Sequence, residues 1–235
     1  MSDIREIVMD TETTGLDPAT GDRIVEIGAL ELVNHVPTGR TYHQYINPGI
    51  PMPAEAFAVH GISDDDLADK PRFAEVAQAF LDFIEGGTLV IHNAPFDIKF
   101  LNAELAAVQA KTLALGEAVD TLQIARKRFP GAQNSLDGLC RRFGIDTSKR
   151  VKHGALLDSE ILADVYLELC GGRQSRLTMD VARSGVEEGE VAAPYRASAR
   201  PGPRPVLLTD AEQEQHASFI AEMGDEALWV AANKE

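Results

Sequence analysis

Five side chains able to carry out hydrolytic chemistry follow one another in a fixed order along the sequence. Asp10 and Glu12 form a D-x-E pair, Asp97 lies in IHNAPFD, and His153 precedes Asp158 by five residues. Carboxylate oxygens are the ligands that Mg²⁺ and Mn²⁺ prefer, and a histidine with a pKa near neutrality can take a proton from water. Two such ions about 4 Å apart stabilise the attacking and leaving oxygens of an in-line displacement. The set therefore predicts a two-metal centre and a general base that hydrolyse phosphodiesters.

Each piece of this set has a simpler interpretation when it is taken alone. A D-x-E pair can be the acidic surface end of a strand, and an acid such as Asp97 is favoured in the first helical turn by the helix dipole. A lone histidine is usually a surface or core residue. Alternation along a strand, however, places Asp10 and Glu12 on one face, so both carboxylates can enter one cleft. The chemistry is predicted by all the pieces in this order.

Hydrophobic patterns and turn residues predict the elements that must position these side chains. Three strands with short turns indicate an antiparallel meander, at residues 4–9, 23–33 and 41–46. Two further strands are predicted, at residues 88–93 and 117–120. Helices are predicted at residues 53–59, 73–84, 95–108, 121–129, 135–143 and 154–170. Strands followed by alternating strands and helices indicate an α/β fold with a mixed sheet covered by helices on both faces.

The composition indicates a globular chain with weak intrinsic affinity for nucleic acid. The chain has 235 residues, of which 44% are hydrophobic and 25% charged, and a net charge of −15. This charge argues against a duplex-binding protein held by a basic patch, although bound cations invert the local charge of a carboxylate site. Cys140 and Cys170 form no C-x-x-C motif, so we expect buried free thiols and not a zinc site. Because there is neither a signal peptide nor an apolar run of roughly 20 residues, we expect a cytoplasmic protein without a membrane segment.

The order Asp-x-Glu, Asp and His-x-x-x-x-Asp resembles that of the DEDDh exonucleases, which have the ribonuclease H-like fold. Longer stretches, including DTETTGLDP, PEAFAVHGISDDDL, IHNAPFDIKFL and SKRVKHGALLDSEILADVYLEL, are similar to the proofreading epsilon subunits of bacterial DNA polymerase III over about residues 4–172. The resemblance implies a ribonuclease H-like, mixed five-stranded sheet flanked by helices. It also implies a 3′→5′ exonuclease that releases mispaired primer-terminal nucleotides as monophosphates.

The resemblance also assigns roles to the residues at matching positions. Asp10, Glu12 and Asp158 would bind metal directly, Asp97 would hold the second ion, and His153 would be the general base. The cofactors implied are two divalent ions, Mg²⁺ or Mn²⁺.

A second group of residues is expected to contact the single-stranded 3′ end of the primer. Positions that hold the terminal nucleotide in the family are matched by Thr13, Glu55 and His60. Leu16 and Phe96 would wedge or stack against terminal bases, which is a sequence-tolerant way to hold a single strand. His92 and Asn93 close a buried strand, where ligand sites gather in α/β sheets.

The composition changes after residue 172, and a tail of different character begins. We expect an exonuclease domain at 1–172, a clamp-binding-like peptide at 173–180, a flexible linker at 181–206 and a polymerase-binding tail at 207–235. The linker prediction follows from its Gly, Pro, Ala and charged residues, which cannot bury a core.

Two short patterns in the tail predict protein partners. Gln174, Leu177 and Met179 resemble a bacterial sliding-clamp-binding peptide, which docks as an extended segment with apolar anchors. The strongest form of that peptide prefers an aromatic residue at its end, which this chain lacks. Trp229 lies in a segment similar to the part of epsilon subunits that binds the polymerase (alpha) subunit, and a tryptophan suits an interface anchor.

Two other functions are compatible with the sequence. One is a stand-alone DEDDh exonuclease that trims RNA or DNA ends, and the other is a scaffold subunit that joins the clamp to the polymerase. The catalytic residues fit the first as well as they fit a proofreading subunit. The clamp-like peptide, the linker and Trp229 favour the proofreading subunit.

Overall fold

The computed structural model describes residues 3–148, 150, 152–172 and 209–223. The chain divides into two units, the first of which ends at residue 178. The predicted tail features outside the described residues are Gln174, Leu177, Met179, the linker at 181–206 and Trp229.

The described strands form one mixed five-stranded sheet in the order β3-β2-β1-β4-β5. They are β1 (Arg5–Thr13), β2 (Ile24–Val33), β3 (Val36–Tyr45), β4 (Thr88–Ile91) and β5 (Val119–Asp120). The first three strands pair antiparallel, as the predicted meander requires, whereas β4 runs parallel to β1 and β5 parallel to β4. The predicted α/β fold is confirmed.

The central strand β1 is longer than the sequence predicts. A strand ending at residue 9 was expected, but pairing with β2 continues, so that Asp10 lies opposite Gly28 and Glu12 opposite Glu26. The two acids therefore belong to the sheet itself, and their backbone is fixed by the ladder with β2.

Among the described residues, seven α-helices belong to the first unit and one to the second. The seven are α1 (Ala54–His60), α2 (Asp64–Leu67), α3 (Phe73–Ile84), α4 (Ala94–Ala107), α5 (Thr121–Arg128), α6 (Leu136–Phe143) and α7 (Ala155–Leu169). The second unit contributes α8 (Asp210–Met223). The short helix α2 is an addition to the prediction, and it begins with a capping box in which Ser63 and Asp66 satisfy each other's backbone N–H groups.

Helices cover both faces of the sheet, as the alternation along β1 shows. Ile7 and Met9 pack in a core cluster with side chains of α3 and α4. Val8 points to the other face and packs with Leu162 and Tyr166 of α7. By the same alternation, Asp10 and Glu12 lie on the α7 face, while Thr11 lies on the α4 face.

Two smaller predictions can be compared with the structure. Cys140 is buried as predicted, but Cys170 is exposed because it follows the last turn of α7, so the prediction of a buried thiol was wrong there. No helix in the described part of the chain is long and apolar enough to cross a membrane.

Candidate active site

The five predicted catalytic side chains meet at the end of the sheet where the parallel strands β1 and β4 have their carboxyl ends. Asp10 and Glu12 stand at the carboxyl end of β1, and Asp97 lies in the first turn of α4, directly after the parallel strand β4. Asp158 lies in the first turn of α7. One ligand atom each from Glu12, His153 and Asp158 lies within 4.8 Å of the others. The fold therefore brings together residues that are more than a hundred positions apart.

Close contact between β2 and α7 places the first turn of that helix beside β1. The Glu26 carboxylate accepts a 3.1 Å hydrogen bond from the Ala155 N–H, and the Ser159 hydroxyl donates a 2.9 Å hydrogen bond to the Gly28 carbonyl. A Cβ atom on Gly28 would lie 2.1 Å from the backbone nitrogen of Leu156. Glycine is thus required for the close approach of this helix to the strand.

Asp97 is held by a residue that the sequence analysis did not include. The Thr11 hydroxyl donates a 2.7 Å hydrogen bond to the Asp97 carboxylate, and both side chains are buried. Asn93 adopts a left-handed conformation (φ 71°) at the start of α4, and its N–H donates to the Asp120 carboxylate at 3.1 Å. The signal in the sequence was the position of Thr11 between Asp10 and Glu12, which puts its side chain on the face of the sheet opposite to both acids.

Burial and mutual repulsion raise the pKa values of the carboxyl groups. The pKa of Asp10 lies well above its ordinary value because of burial and of repulsion by Asp97, Glu12 and Asp158. Burial, followed by repulsion from Asp158 and Glu26, raises the pKa of Glu12 to about 8. Burial raises the pKa of Asp97 to about 7, against the opposing effect of the Thr11 hydrogen bond. Such a cluster gains stability when a cation neutralises it.

The donor set fits a hard divalent cation. Four carboxylates supply oxygen ligands, and the three ligand atoms within 4.8 Å of one another are close enough to share one ion. The centre also attracts a positive group of the chain itself. The guanidinium of Arg150 lies 2.5 and 2.6 Å from the two oxygens of Asp158, and its side chain is only 8% exposed. Arg150 was not among the predicted site residues, and its signal in the sequence was the basic run directly before His153.

His153 lies at the solvent side of this centre. Its Nδ1 atom is 2.7 Å from an Arg150 nitrogen and 3.1 Å from an Asp158 oxygen, and 44% of its side chain is exposed. Nδ1 is thus within hydrogen-bonding distance of both a donor, the Arg150 guanidinium, and an acceptor, the Asp158 carboxylate. An exposed imidazole beside the carboxylates stands where a general base must meet water.

The residues expected to hold the terminal nucleotide surround the end of β1 and helix α1. The Thr13 hydroxyl donates a 2.6 Å hydrogen bond to the Gly15 carbonyl. His60 is buried in the last turn of α1, where its Nδ1 accepts from the Ile62 N–H at 3.0 Å, and burial lowers its pKa. Glu55 is exposed in the first turn of that helix.

The remaining predicted substrate residues differ in exposure. Leu16 is 82% exposed, as a residue that wedges between bases must be. Phe96 is half-buried, with its ring 5.1 Å from that of Phe100. The Nδ1 atom of His92 is 2.9 Å from the Thr121 hydroxyl, and burial lowers its pKa. The contacts of Phe96 and His92 support the fold, and their substrate contacts stay predictions.

Comparison with known proteins finds a family and several close relatives. The exonuclease family RNase_T matches residues 7–166. The DNA polymerase III subunit epsilon of Rickettsia felis is 57% identical over 182 residues, which is 76% of this chain and 80% of that protein. The protein of the same name from Escherichia coli K12 is 44% identical over 237 residues, covering 97% of this chain and 98% of the relative.

A solved structure is similar in fold. The nuclease domain of 3′hExo, a DEDDh family member bound to rAMP, superposes with a TM-score of 0.62 at 21% identity, over 71% of this chain and 91% of that one.

Proposed function

The chain belongs to the exonuclease family of the DNA polymerase III epsilon subunits, and we propose that it removes mispaired primer-terminal nucleotides at the site formed by Asp10, Glu12, Asp97, His153 and Asp158. One observation carries the assignment of these residues. Four carboxylates and one imidazole, distant in sequence, converge at the edge of the sheet where burial and repulsion favour a bound cation.

The chemistry of the site is two-metal hydrolysis of a phosphodiester. Two divalent ions, Mg²⁺ or Mn²⁺, would supply the charge that stabilises the attacking and leaving oxygens. Asp10, Glu12 and Asp158 would bind metal directly, and Asp97, which accepts a hydrogen bond from Thr11, would hold the second ion. Hard oxygen ligands bind these hard ions more favourably than they bind softer metal ions.

His153 supplies the proton transfer. Its ring takes a proton from the attacking water while the water oxygen bonds to phosphorus and the bond from phosphorus to the 3′ oxygen of the preceding nucleotide breaks. That oxygen takes a proton from solvent and leaves as the new 3′-hydroxyl. The products are a nucleoside monophosphate and a chain shortened by one nucleotide. The exposure of the His153 side chain lets the proton pass on to solvent.

The surrounding residues provide the substrate contacts. Leu16, which projects into solvent, separates the terminal base from its neighbour, and Phe96 offers a ring edge for stacking. Thr13, Glu55 and His60 hold the terminal nucleotide. A proofreading enzyme must accept any terminal base, and none of these contacts reads a particular one.

The tail links this nuclease to the replication machinery. We infer that Gln174, Leu177 and Met179 bind the sliding clamp and that Trp229 anchors the segment that binds the polymerase alpha subunit. A linker of roughly 26 residues spans on the order of 28 Å and gives the nuclease an effective concentration in roughly the millimolar range near the primer end. Alignment with the E. coli relative extends over 97% of the chain and so supports a polymerase subunit over a stand-alone nuclease.

The direct test is hydrolysis of a primer–template with a mismatched 3′ end by the full chain, in Mg²⁺, in Mn²⁺ and in EDTA. We expect metal-dependent release of monophosphates, faster from mismatched than from paired ends. Asp10→Ala should abolish release and keep binding to the polymerase subunit. Release from RNA alone would support the stand-alone nuclease, and absence of any release would support the scaffold.

Deletion of residues 173–235 tests the role of the tail. The truncated chain should hydrolyse single-stranded ends like the full chain, because every site residue lies before residue 173. It should lose processive proofreading in a reconstituted polymerase. Unchanged proofreading by the truncated chain would refute the tethering role.

A further inference from the structure

The side chain of Arg150 lies within the candidate catalytic centre. Its guanidinium bonds both oxygens of Asp158, at 2.5 and 2.6 Å, and it also donates to His153 Nδ1 at 2.7 Å. A third branch reaches the carboxylate of Asp137 in the first turn of α6. Only 8% of the Arg150 side chain is exposed.

These contacts involve the groups that a two-metal hydrolase needs free. Asp158 offers its two oxygens to the guanidinium, so its oxygens already have a positive partner. The same guanidinium lies 2.7 Å from His153 Nδ1, so it also occupies one ring nitrogen of the group that would act as general base. The positive charge of Arg150 also acts on Asp10 and Glu12, where it opposes the rise in their pKa values.

A divalent ion and this guanidinium would repel each other if both were bound to Asp158. Like charges at such close range repel strongly where water is largely excluded, so the two cations compete for the same carboxylate. Asp137, whose side chain is 54% exposed, gives the guanidinium a second partner outside the centre.

We propose that Arg150 is an internal counter-cation that occupies Asp158 and His153 until divalent metal displaces it. On displacement the guanidinium keeps its contact with Asp137, while the carboxylate and the imidazole become available together. Metal loading and release of the general base are thereby one event. This inference rests on the proposed metal-dependent function, and Arg150 acts in it as a positioning residue.

The test measures metal binding directly, without reference to hydrolysis. The full chain is titrated with Mn²⁺ by electron paramagnetic resonance, as wild type, Arg150→Gln, Arg150→Lys and Asp158→Asn. The matched control is Arg141→Gln, because Arg141 lies on the neighbouring helix α6 and pairs with Gln133 at 2.8 Å outside the centre. Arg150→Gln should bind Mn²⁺ about tenfold more tightly than wild type, since the competing charge is gone. Arg150→Lys, which keeps the charge but loses the two-pronged contact, should lie between the two, and it also serves if the Gln variant does not fold.

A second readout separates this role from a merely structural one. Without metal, Arg150→Gln should melt at a lower temperature than wild type, because the clustered carboxylates lose their counter-charge. With saturating Mn²⁺ the two should melt alike, whereas a structural defect would lower both melting temperatures. If both Arg150 variants bind Mn²⁺ as tightly as wild type or less tightly, the inference is overturned. The metal site itself is still upheld in that case if wild type binds Mn²⁺ and Asp158→Asn does not. Absence of binding by wild type would overturn both.

Discussion

The hydroxyl of Thr11 donates a hydrogen bond to the carboxylate of Asp97 across 86 positions of sequence, and both groups are buried. The bond crosses from β1 to α4, on the face of the sheet opposite to the one that carries Asp10 and Glu12. It favours the charged form of Asp97 and so partly offsets the burial that raises its pKa. One threonine thus orients a candidate metal ligand and adjusts its charge.

Replacing Thr11 with valine removes this bond while nearly keeping the volume of the side chain. The pKa of Asp97 should rise further, by about one to two units, because a hydrogen bond to a charged group is worth roughly 1.5 to 3 kcal/mol. The rise of nuclease activity with pH should shift to higher pH, with a several-fold loss near pH 7 that is recovered in more alkaline buffer. The measurement is kcat against pH, with Thr41→Val on the exposed part of β3 as control. A profile that coincides with that of wild type would show that the bond has no effect on Asp97.

The stability of the metal-free chain should fall as pH rises. Glu12 and Asp97 have folded-state pKa values of about 8 and about 7, above their ordinary values of 4.5 and 3.8. Between about pH 4 and pH 8 the folded chain therefore binds more protons than the unfolded chain, and the free energy of unfolding decreases with pH. The stability is present in full below the unfolded-state values and is lost as pH passes through the folded-state values.

Melting curves in EDTA check that prediction at about pH 5.5, where both carboxyls of the folded chain keep most of their protons, and at about pH 8.5, where they have lost most of them. We expect a lower melting temperature by several degrees at the higher pH, since about 1 kcal/mol corresponds to roughly 2 to 4 °C for a chain of this size. Mn²⁺ in place of EDTA should remove this difference in melting temperature, and Glu12→Gln should reduce it. The charged groups that act on these carboxyls are Asp10, Asp158, Glu26, Asp120 and Arg150. Stability that does not fall with pH would mean that the site is neutralised without metal.

Gly28 in β2 and Gly154 directly before α7 both lie beside the start of that helix, and they offer a matched pair of substitutions. A Cβ atom on Gly28 would lie 2.1 Å from the backbone nitrogen of Leu156, whereas one on Gly154 would meet no atom within 4 Å. Gly28→Ala should push α7 away from β2, move Asp158 and lose nuclease activity by at least about tenfold, with a cost of roughly 1 to 3 kcal/mol from overpacking. Gly154→Ala, at the N-cap of α7, should change stability by at most about 1 kcal/mol, because the loss of a favoured cap residue is offset by the reduced freedom of the unfolded chain. Activity and melting temperature that respond equally to both substitutions would contradict the role of Gly28.

Elements held by interactions between neighbours in sequence were predicted well, and features held by partners distant in sequence were not. Helix α3 and helix α6 were predicted to within a residue because their signals are local: helical spacing for α3, and Ser135 and Gly144 at the two ends of α6. The end of β1 was predicted too early because its last residues are held by β2, which a local pattern does not contain.

The same distinction applies to the candidate site. The carboxylates and the histidine could be predicted from their type and order, since few other residues can hold a hard metal ion or move a proton. Thr11, Glu26 and Arg150 did not, because each is an ordinary residue whose importance comes from a partner. Such supporting contacts emerge only when the elements are assembled.

His153→Ala tests the assignment of the general base. Turnover should fall by roughly 10²- to 10⁴-fold. Mn²⁺ binding should largely survive, because four carboxylates remain to hold the ions. Single-turnover hydrolysis and Mn²⁺ titration measure the two effects separately, and His35→Ala, a partly exposed histidine paired with Glu6 away from the site, is the control. Because 44% of the His153 side chain is exposed, added imidazole should enter the vacated space and restore part of the rate. His153 also lies within ligand distance of Glu12 and Asp158, so a loss of Mn²⁺ affinity in the variant, without rescue by imidazole, would make it a metal ligand instead of a base.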